Sequence, residues 1–134
     1  MEFLLDTNIC IYIIKKKPEE VFDKFKLLIP GDVGISSITL AELYYGVEKS
    51  TNPIKNKEAP EKFLTPIEIV DFGYSASIEY GKIRAFLERK GLTIGPLDML
   101  IAAHAKSLET TLVTNNQREF ERIEGLKIEN WVKY

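Results

Sequence analysis

Short apolar runs alternate along this chain with apolar residues at helical spacing. Phe3-Leu4-Leu5 reads as a strand and ends in Asp6-Thr7-Asn8, three residues that cap helices well. A helix follows through Ile9, Ile11, Tyr12 and Ile14 and stops before Pro18. Pro18 suits the first position of a second helix over 18–29, whose acids come early, where the helix dipole favours them. Val33-Gly34-Ile35-Ser36 is a second strand, and Ser37 or Thr39 caps a helix that carries Leu40, Leu43, Tyr44 and Val47. Residues 51–63 are polar, hold two prolines, and predict a less firmly packed helix.

Ile67, Ile69 and Val70 make a third strand. The clearest amphipathic helix covers 75–90, with Ala76, Tyr80, Ile83 and Leu87 on one face and Gly91 as its stop. Gly95-Pro96 opens the helix that carries Asp98. Residues 111–114 give a fourth strand, 118–123 a short helix ended by Gly125, and 127–131 a last strand. This β-α alternation predicts an α/β fold, a mostly parallel central sheet flanked by helices. No repeat or linker divides the chain, so 1–134 is expected to be one domain. In such sheets the working site lies beyond the C-terminal strand ends. Asp6 and Asn115-Asn116 follow strands directly and should share that edge.

Composition narrows the class. The chain has 134 residues, 45% of them hydrophobic and 28% charged, which fits a folded globular protein. No apolar run approaches the roughly 20 residues that span a bilayer, no signal peptide pattern opens the chain, and one cysteine excludes an internal disulfide framework. Cytoplasm is the expected location. The net charge of −2 is not that of a strongly basic nucleic-acid binder, but clustered charge matters more than the sum. Lys15-Lys16-Lys17, Arg89-Lys90, and Arg118 with Arg122 are such clusters, and each also reads plainly as a solvated helix end or face.

The chemistry rests on Asp6 in FLLDTN, Glu42 in SSITLAELYYG and Asp98 in GPLDMLIAAHA. Singly, each has an ordinary explanation: a cap, an exposed helical acid, a first-turn acid. Their apolar neighbours suggest burial, and burial of a carboxylate demands a partner. No cation occurs in these motifs. If the fold brings the three together, they repel one another unless a divalent ion enters. Oxygen-only donors suit Mg²⁺, with Mn²⁺ as the second choice, and this directs attention to phosphate chemistry. Zinc is disfavoured by a single histidine and a single cysteine. His104 points away from Asp98 on the same helix and reads as packing or a backbone hydrogen bond. Cys10 reads as a small buried hydrophobe. Asn116 is placed to add a neutral oxygen or hold a water, and Thr7 and Ser37 to orient the carboxylates.

These residues carry a family resemblance. FLLDTNICIYIIK, ISSITLAELYYGVEKS, IRAFLERKGLTIGPLDMLIAAHA and LVTNNQREFERIEGLKIENW, in that order, resemble PIN-domain ribonucleases, and within them the VapC toxins of toxin–antitoxin pairs. The resemblance implies a PIN-like fold and a metal-dependent endoribonuclease that hydrolyses RNA phosphodiesters, transfer RNA or another structured RNA. Asp6, Glu42 and Asp98 fall at its acidic metal positions. It implies a homodimer, a VapB-like antitoxin that covers the site in a hetero-oligomer, and operator DNA contacted only through that antitoxin. The chain departs at Asn116, where many PIN domains carry an acid. One fewer charge favours one ion over two, although Glu119 could reach inward instead. Two other readings compete: a catalytically weak PIN-fold binding module acting through its partner, motivated by Asn116, and a phosphoacceptor receiver domain. The latter wants an acidic pair after the first strand and a lysine after the last, where this chain has Asp-Thr-Asn and Thr-Asn-Asn.

Overall fold

The structure is a computed structural model, and it describes residues 1–133. In chain order the elements are β1 (Phe3–Leu5), α1 (Thr7–Lys15), α2 (Glu19–Lys26), β2 (Val33–Ser36), α3 (Ser37–Glu48), α4 (Pro53–Asn56) and α5 (Glu58–Leu64). There follow β3 (Glu68–Val70), α6 (Tyr74–Lys90), α7 (Pro96–Ser107), β4 (Thr111–Val113), α8 (Gln117–Phe120) and β5 (Ile128–Glu129). The strands lie in the order β3-β2-β1-β4-β5, and every neighbouring pair is parallel. The expected α/β architecture with a parallel sheet between helices is the one observed.

Strand alternation sorts the core into two layers. Phe3, Leu5, Val33, Ile35 and Val113 face one side and pack with Ile9, Ile13, Val21, Leu43 and Phe63. Leu4 and Leu112 face the other and pack with Ile83, Leu87, Ile101 and Phe120. Thus α1, α2, α3 and α5 cover one face, and α6, α7 and α8 cover the other. Central strands covered on both faces have no polar side to show, which is why Phe3–Leu5 reads as an unbroken apolar run.

Several local expectations shift. Pro18 sits one position before α2, as its cap residue, and α2 ends at Lys26, so Leu27 is left 84% exposed. The polar segment 51–63 forms two short helices rather than one, anchored by buried Phe63. The final strand shrinks to two residues. The cap of α3 is Ser36, not Ser37 or Thr39: its side chain accepts from the Ile38 N–H at 3.0 Å. Ser37 instead accepts from the Phe72 N–H at 3.0 Å, so it orients a loop and no carboxylate.

Ser36 has a second bond, to His104 Nδ1 at 2.7 Å. One lone pair of Ser36 Oγ takes the Ile38 N–H, so its own O–H is free to donate to Nδ1. The imidazole also bonds the backbone of Asp71 and meets the Phe72 ring edge-on, at 5.4 Å between centroids. His104 is buried, and burial holds its pKa below the usual value, against the opposing pull of Asp71. The histidine therefore acts as a neutral clasp joining α7, the start of α3 and the loop after β3. Replacing Ser36 by alanine removes a cap and strands a buried ring nitrogen. Ser36→Ala is expected to lower stability by about 2–3 kcal/mol. Equilibrium urea unfolding measures this, and a loss within about 0.5 kcal/mol, the range of an ordinary surface change, contradicts it.

Candidate active site

Because all strands run in parallel, the residues just after β1, β2 and β4 meet at one edge. Asp6 follows β1 and caps α1 with extended backbone (φ −70°, ψ 157°). It is only 4% exposed. Its Oδ1 accepts from the Thr7 N–H at 2.8 Å, and its Oδ2 accepts from the Thr114 hydroxyl at 2.7 Å. Thr114, directly after β4, in turn accepts from the Asn116 N–H at 2.9 Å. The carboxylate is therefore held at both oxygens, by a neighbour in sequence and by one 108 residues away.

Glu42 arrives from α3. Its Oε1 accepts from the Thr7 hydroxyl at 2.7 Å, which lies 3.3 Å from the Thr39 hydroxyl. Thr7 thus joins the Asp6 and Glu42 elements, as expected of it. Asp98 stands in the first turn of α7. The fourth acid is Glu119 on α8: it hydrogen-bonds Asp98, and its Oε2 accepts from Asn116 Nδ2 at 2.9 Å. The amide of Asn116 thus fixes Glu119 in place. The sequence left Glu119 open between an inward and an exposed position, and the structure turns it inward. The signal that could have found it is its spacing of three from Asn116, the reach of one helical turn.

Electrostatics shows how close these groups are. Burial pushes the Asp6 pKa above the usual carboxylate range; Thr114 and Thr7 oppose the shift, while Glu42 and Glu119 add to it. Asp98 is pushed up to about 7, first by burial, then by Asp6, by its bond to Glu119, and by the charges of Glu119 and Glu42. Among the described residues, the ion pairs bind none of these four acids. Nor do any three of the acids stand together as a ready-made metal-ligand set. Instead Glu119 lies beside Asp98 and helps to raise its pKa. The donor set still fits a hard divalent cation: it is all oxygen, it carries excess negative charge, and the raised pKa of Asp98 marks a repulsion that a cation would relieve. Outside the acid set, Cys10 is fully buried and His104 is clasped by Ser36, as packing residues.

Loop 114–117 is fixed by amides. Asn115 Nδ2 donates to the Tyr12 hydroxyl at 3.1 Å, and Asn130 Nδ2 donates to Asn115 Oδ1 and Gln117 Oε1, both at 3.3 Å.

A parallel sheet in this order, with acids at its C-terminal edge, defines a parallel α/β class with an acidic edge. The PIN domain profile matches residues 3–126, and the chain belongs to the PIN domain family. Within that family it is similar to proteins named VapC. It is 50% identical over 131 residues to "tRNA(fMet)-specific endonuclease VapC" of Salmonella typhimurium, covering 98% of both chains. It is 48% identical over 134 residues to "Ribonuclease VapC2" of Rickettsia felis, covering 99% of this chain and 100% of that one. Among solved structures it matches DNA-bound VapBC from Salmonella typhimurium with a TM-score of 0.92 at 49% identity, covering 98% of this chain and 99% of that one. The receiver-domain reading falls with this membership.

Two outcomes test the site's construction. Thr114→Val keeps shape but removes the hydroxyl that holds Asp6, and divalent-ion affinity measured by calorimetry is expected to fall about 10–100-fold. The second is a pH dependence. The folded pKa of Asp98 lies above its unfolded value, so between about pH 4 and 7 the folded chain binds more protons than the unfolded one. In EDTA this contribution stabilises at low pH and is lost as pH rises through 7. Asp98→Asn protein is expected to lose this descending part of its stability–pH curve, read from thermal unfolding; an unchanged curve contradicts the shift.

Proposed function

We propose that this chain is the toxin of a type II toxin–antitoxin pair, a divalent-metal-dependent endoribonuclease. The observation that carries the reading is the set Asp6, Glu42, Asp98 and Glu119, gathered at one sheet edge with no ion pair to any of them among the described residues. Its support is the chain's similarity to relatives named as ribonucleases and endonucleases. Asp6, Glu42 and Asp98, with Glu119 beside them, would hold Mg²⁺, or Mn²⁺ in its place. A bound ion supplies positive charge at the scissile phosphate and acidity to the attacking water. Thr7 and Thr114 keep Glu42 and Asp6 turned to the edge. A carboxylate of the set left off the ion would accept the proton of the attacking water. Asn116 acts through Glu119 and keeps the fourth charge in the set. With that charge restored, the acid count no longer favours one ion over two, and Asn116 no longer favours a catalytically weak binding module.

The substrate we favour is a structured RNA, transfer RNA first, because the similar Salmonella protein is named for one. The partner we favour is a small VapB-like antitoxin. An apolar groove of about 330 Å³, lined by Ile11, Ile14, Leu43, Val47 and Pro60, opens beside Glu42. A partner segment seated there could present a cation to the acids. Operator DNA would be reached through the antitoxin, in keeping with the DNA-bound VapBC structures of the relatives. A homodimer would cover the exposed side chains of Tyr45, Ile69, Tyr74 and Ile78. No helix among the described residues is long and apolar enough to cross a membrane. The cytoplasm, where the RNA is, is the proposed site of action.

The test is cleavage of a transfer RNA pool with Mg²⁺, Mn²⁺ or EDTA. Wild-type protein is expected to cut only with the ion. Asp6→Asn and Asp98→Asn are each expected to lose at least about a hundredfold in rate, because loss of a supporting group alone costs 10–100-fold. Equal cleavage by either variant refutes the proposal.

A further inference from the structure

A second concave surface lies away from the acids, between α6 and the turn at 122–125. It encloses about 310 Å³. Its rim carries Lys82, Arg89 and Lys106, against one acid, Glu124, and its floor includes Phe86 and Ile123. In a chain of net charge −2, three cations around one groove are a local concentration of positive charge. They are not spent on one another's neighbours. Arg89 makes no ion pair among the described residues. Lys82 has a long contact with Glu79, 3.6 Å, on an exposed surface. Lys106 Nζ donates to the Glu124 carbonyl at 3.0 Å, a neutral partner that leaves its charge unbalanced.

Two details show how the groove is built. Gly125 has φ +81°, a backbone conformation that glycine adopts without strain, and Lys106 lies against this turn. Arg122 Nη1 donates to the Thr93 carbonyl at 3.1 Å. Thr93 belongs to the loop joining α6 to α7, two residues before Gly95, where the helix of Asp98 begins. The turn that walls the groove is therefore tied to the segment that leads to Asp98.

We propose that this groove is a second contact for the RNA substrate, with its rim on backbone phosphates and its floor against an unstacked base. The inference rests on the ribonuclease reading. An acidic edge repels phosphates, so an RNA strand needs cations elsewhere to stay bound while one phosphodiester lies at the acids. Lysine and arginine supply this without reading sequence. The half-buried Phe86 ring offers a face of the kind bases stack on. Lys90 Nζ lies over that ring, 5.7 Å from its centroid, and adds positive charge next to it.

The experiment uses full-length protein and a fluorescein-labelled RNA stem-loop with a single-stranded extension, in EDTA, with affinity read by anisotropy across a salt series. The triple variant Lys82→Gln, Arg89→Gln, Lys106→Gln is expected to bind about tenfold or more weakly at low salt, with a log–log salt slope shallower by about three. Its kcat on a short oligoribonucleotide that reaches only the acids is expected to match wild type, while KM on the stem-loop rises. Lys82 and Arg89 are exposed, so a thermal melt is expected to show a folded variant, and Lys82→Gln with Arg89→Gln alone should give a slope change of about two. An unchanged slope in a folded variant overturns the proposal. So does a wild-type protein that fails to bind the stem-loop, or a groove whose occupancy is displaced by polyglutamate and not by oligoribonucleotide. Failure of the ribonuclease reading looks different: RNA bound with the wild-type slope but left uncut in Mg²⁺ and Mn²⁺.

Discussion

Mutual repulsion of carboxylates is the constraint around which this molecule is arranged. Asp6, Glu42, Asp98 and Glu119 occupy one edge without a cation, and the pKa of Asp98 is lifted to about 7. Left to itself, a surface like that would splay, since each acid gains by moving into water. Here they are restrained by neutral donors. Thr7 holds Glu42, Thr114 and the Thr7 amide hold Asp6, and Asn116 holds Glu119. Hydroxyl and amide groups stabilise each charge without cancelling it. The negative field survives, and it stays available to whatever cation enters.

The parallel sheet makes the restraint possible. Parallel strands deliver their C-terminal ends to one side, so Asp6, Ser36 and Thr114 arrive together although they are far apart in sequence. Ser36 is polar and fully buried at this edge, and it is satisfied twice, by the Ile38 amide and by His104. Its bond to His104 crosses from the helix that carries Glu42 to the helix that carries Asp98. A neutral, buried imidazole thus sets the distance between two charged helices without adding charge of its own. Protonating it would place a cation in a buried site, which is why burial keeps its pKa low.

Much of this was readable from the sequence. Periodicity located every strand and the long helix 74–90, because apolar alternation and 3.6-residue spacing reflect burial directly. Gly91 ended that helix in the left-handed conformation that glycine favours. What failed was local and had local causes. Three hydroxyl residues, Ser36, Ser37 and Thr39, compete for one cap, and only tertiary contacts to His104 and Phe72 decide their roles. Segment 51–63 broke into two helices because its apolar residues are too few to fix one axis. Asp6, Glu42 and Asp98 were legible from their apolar surroundings. The place of Glu119 was not, because REFER reads equally as a solvated helix; the deciding contact is a hydrogen bond from Asn116.

That contact changes how Asn116 is understood. As a substitute for an acid, asparagine removes one negative charge from the edge. As a donor to Glu119, it brings a charge back from three residues away. The two effects offset in total charge but not in position: the fourth carboxylate now sits on α8, beside Asp98, rather than on the loop after β4. The close pair is therefore Asp98 and Glu119, whereas Asp6 is paired with the Thr114 hydroxyl and the Thr7 amide. A proton can sit between the first pair and has no such partner at Asp6. A cation at that pair competes with protonation of Asp98, so the affinity of this edge for a metal and the titration of Asp98 are linked.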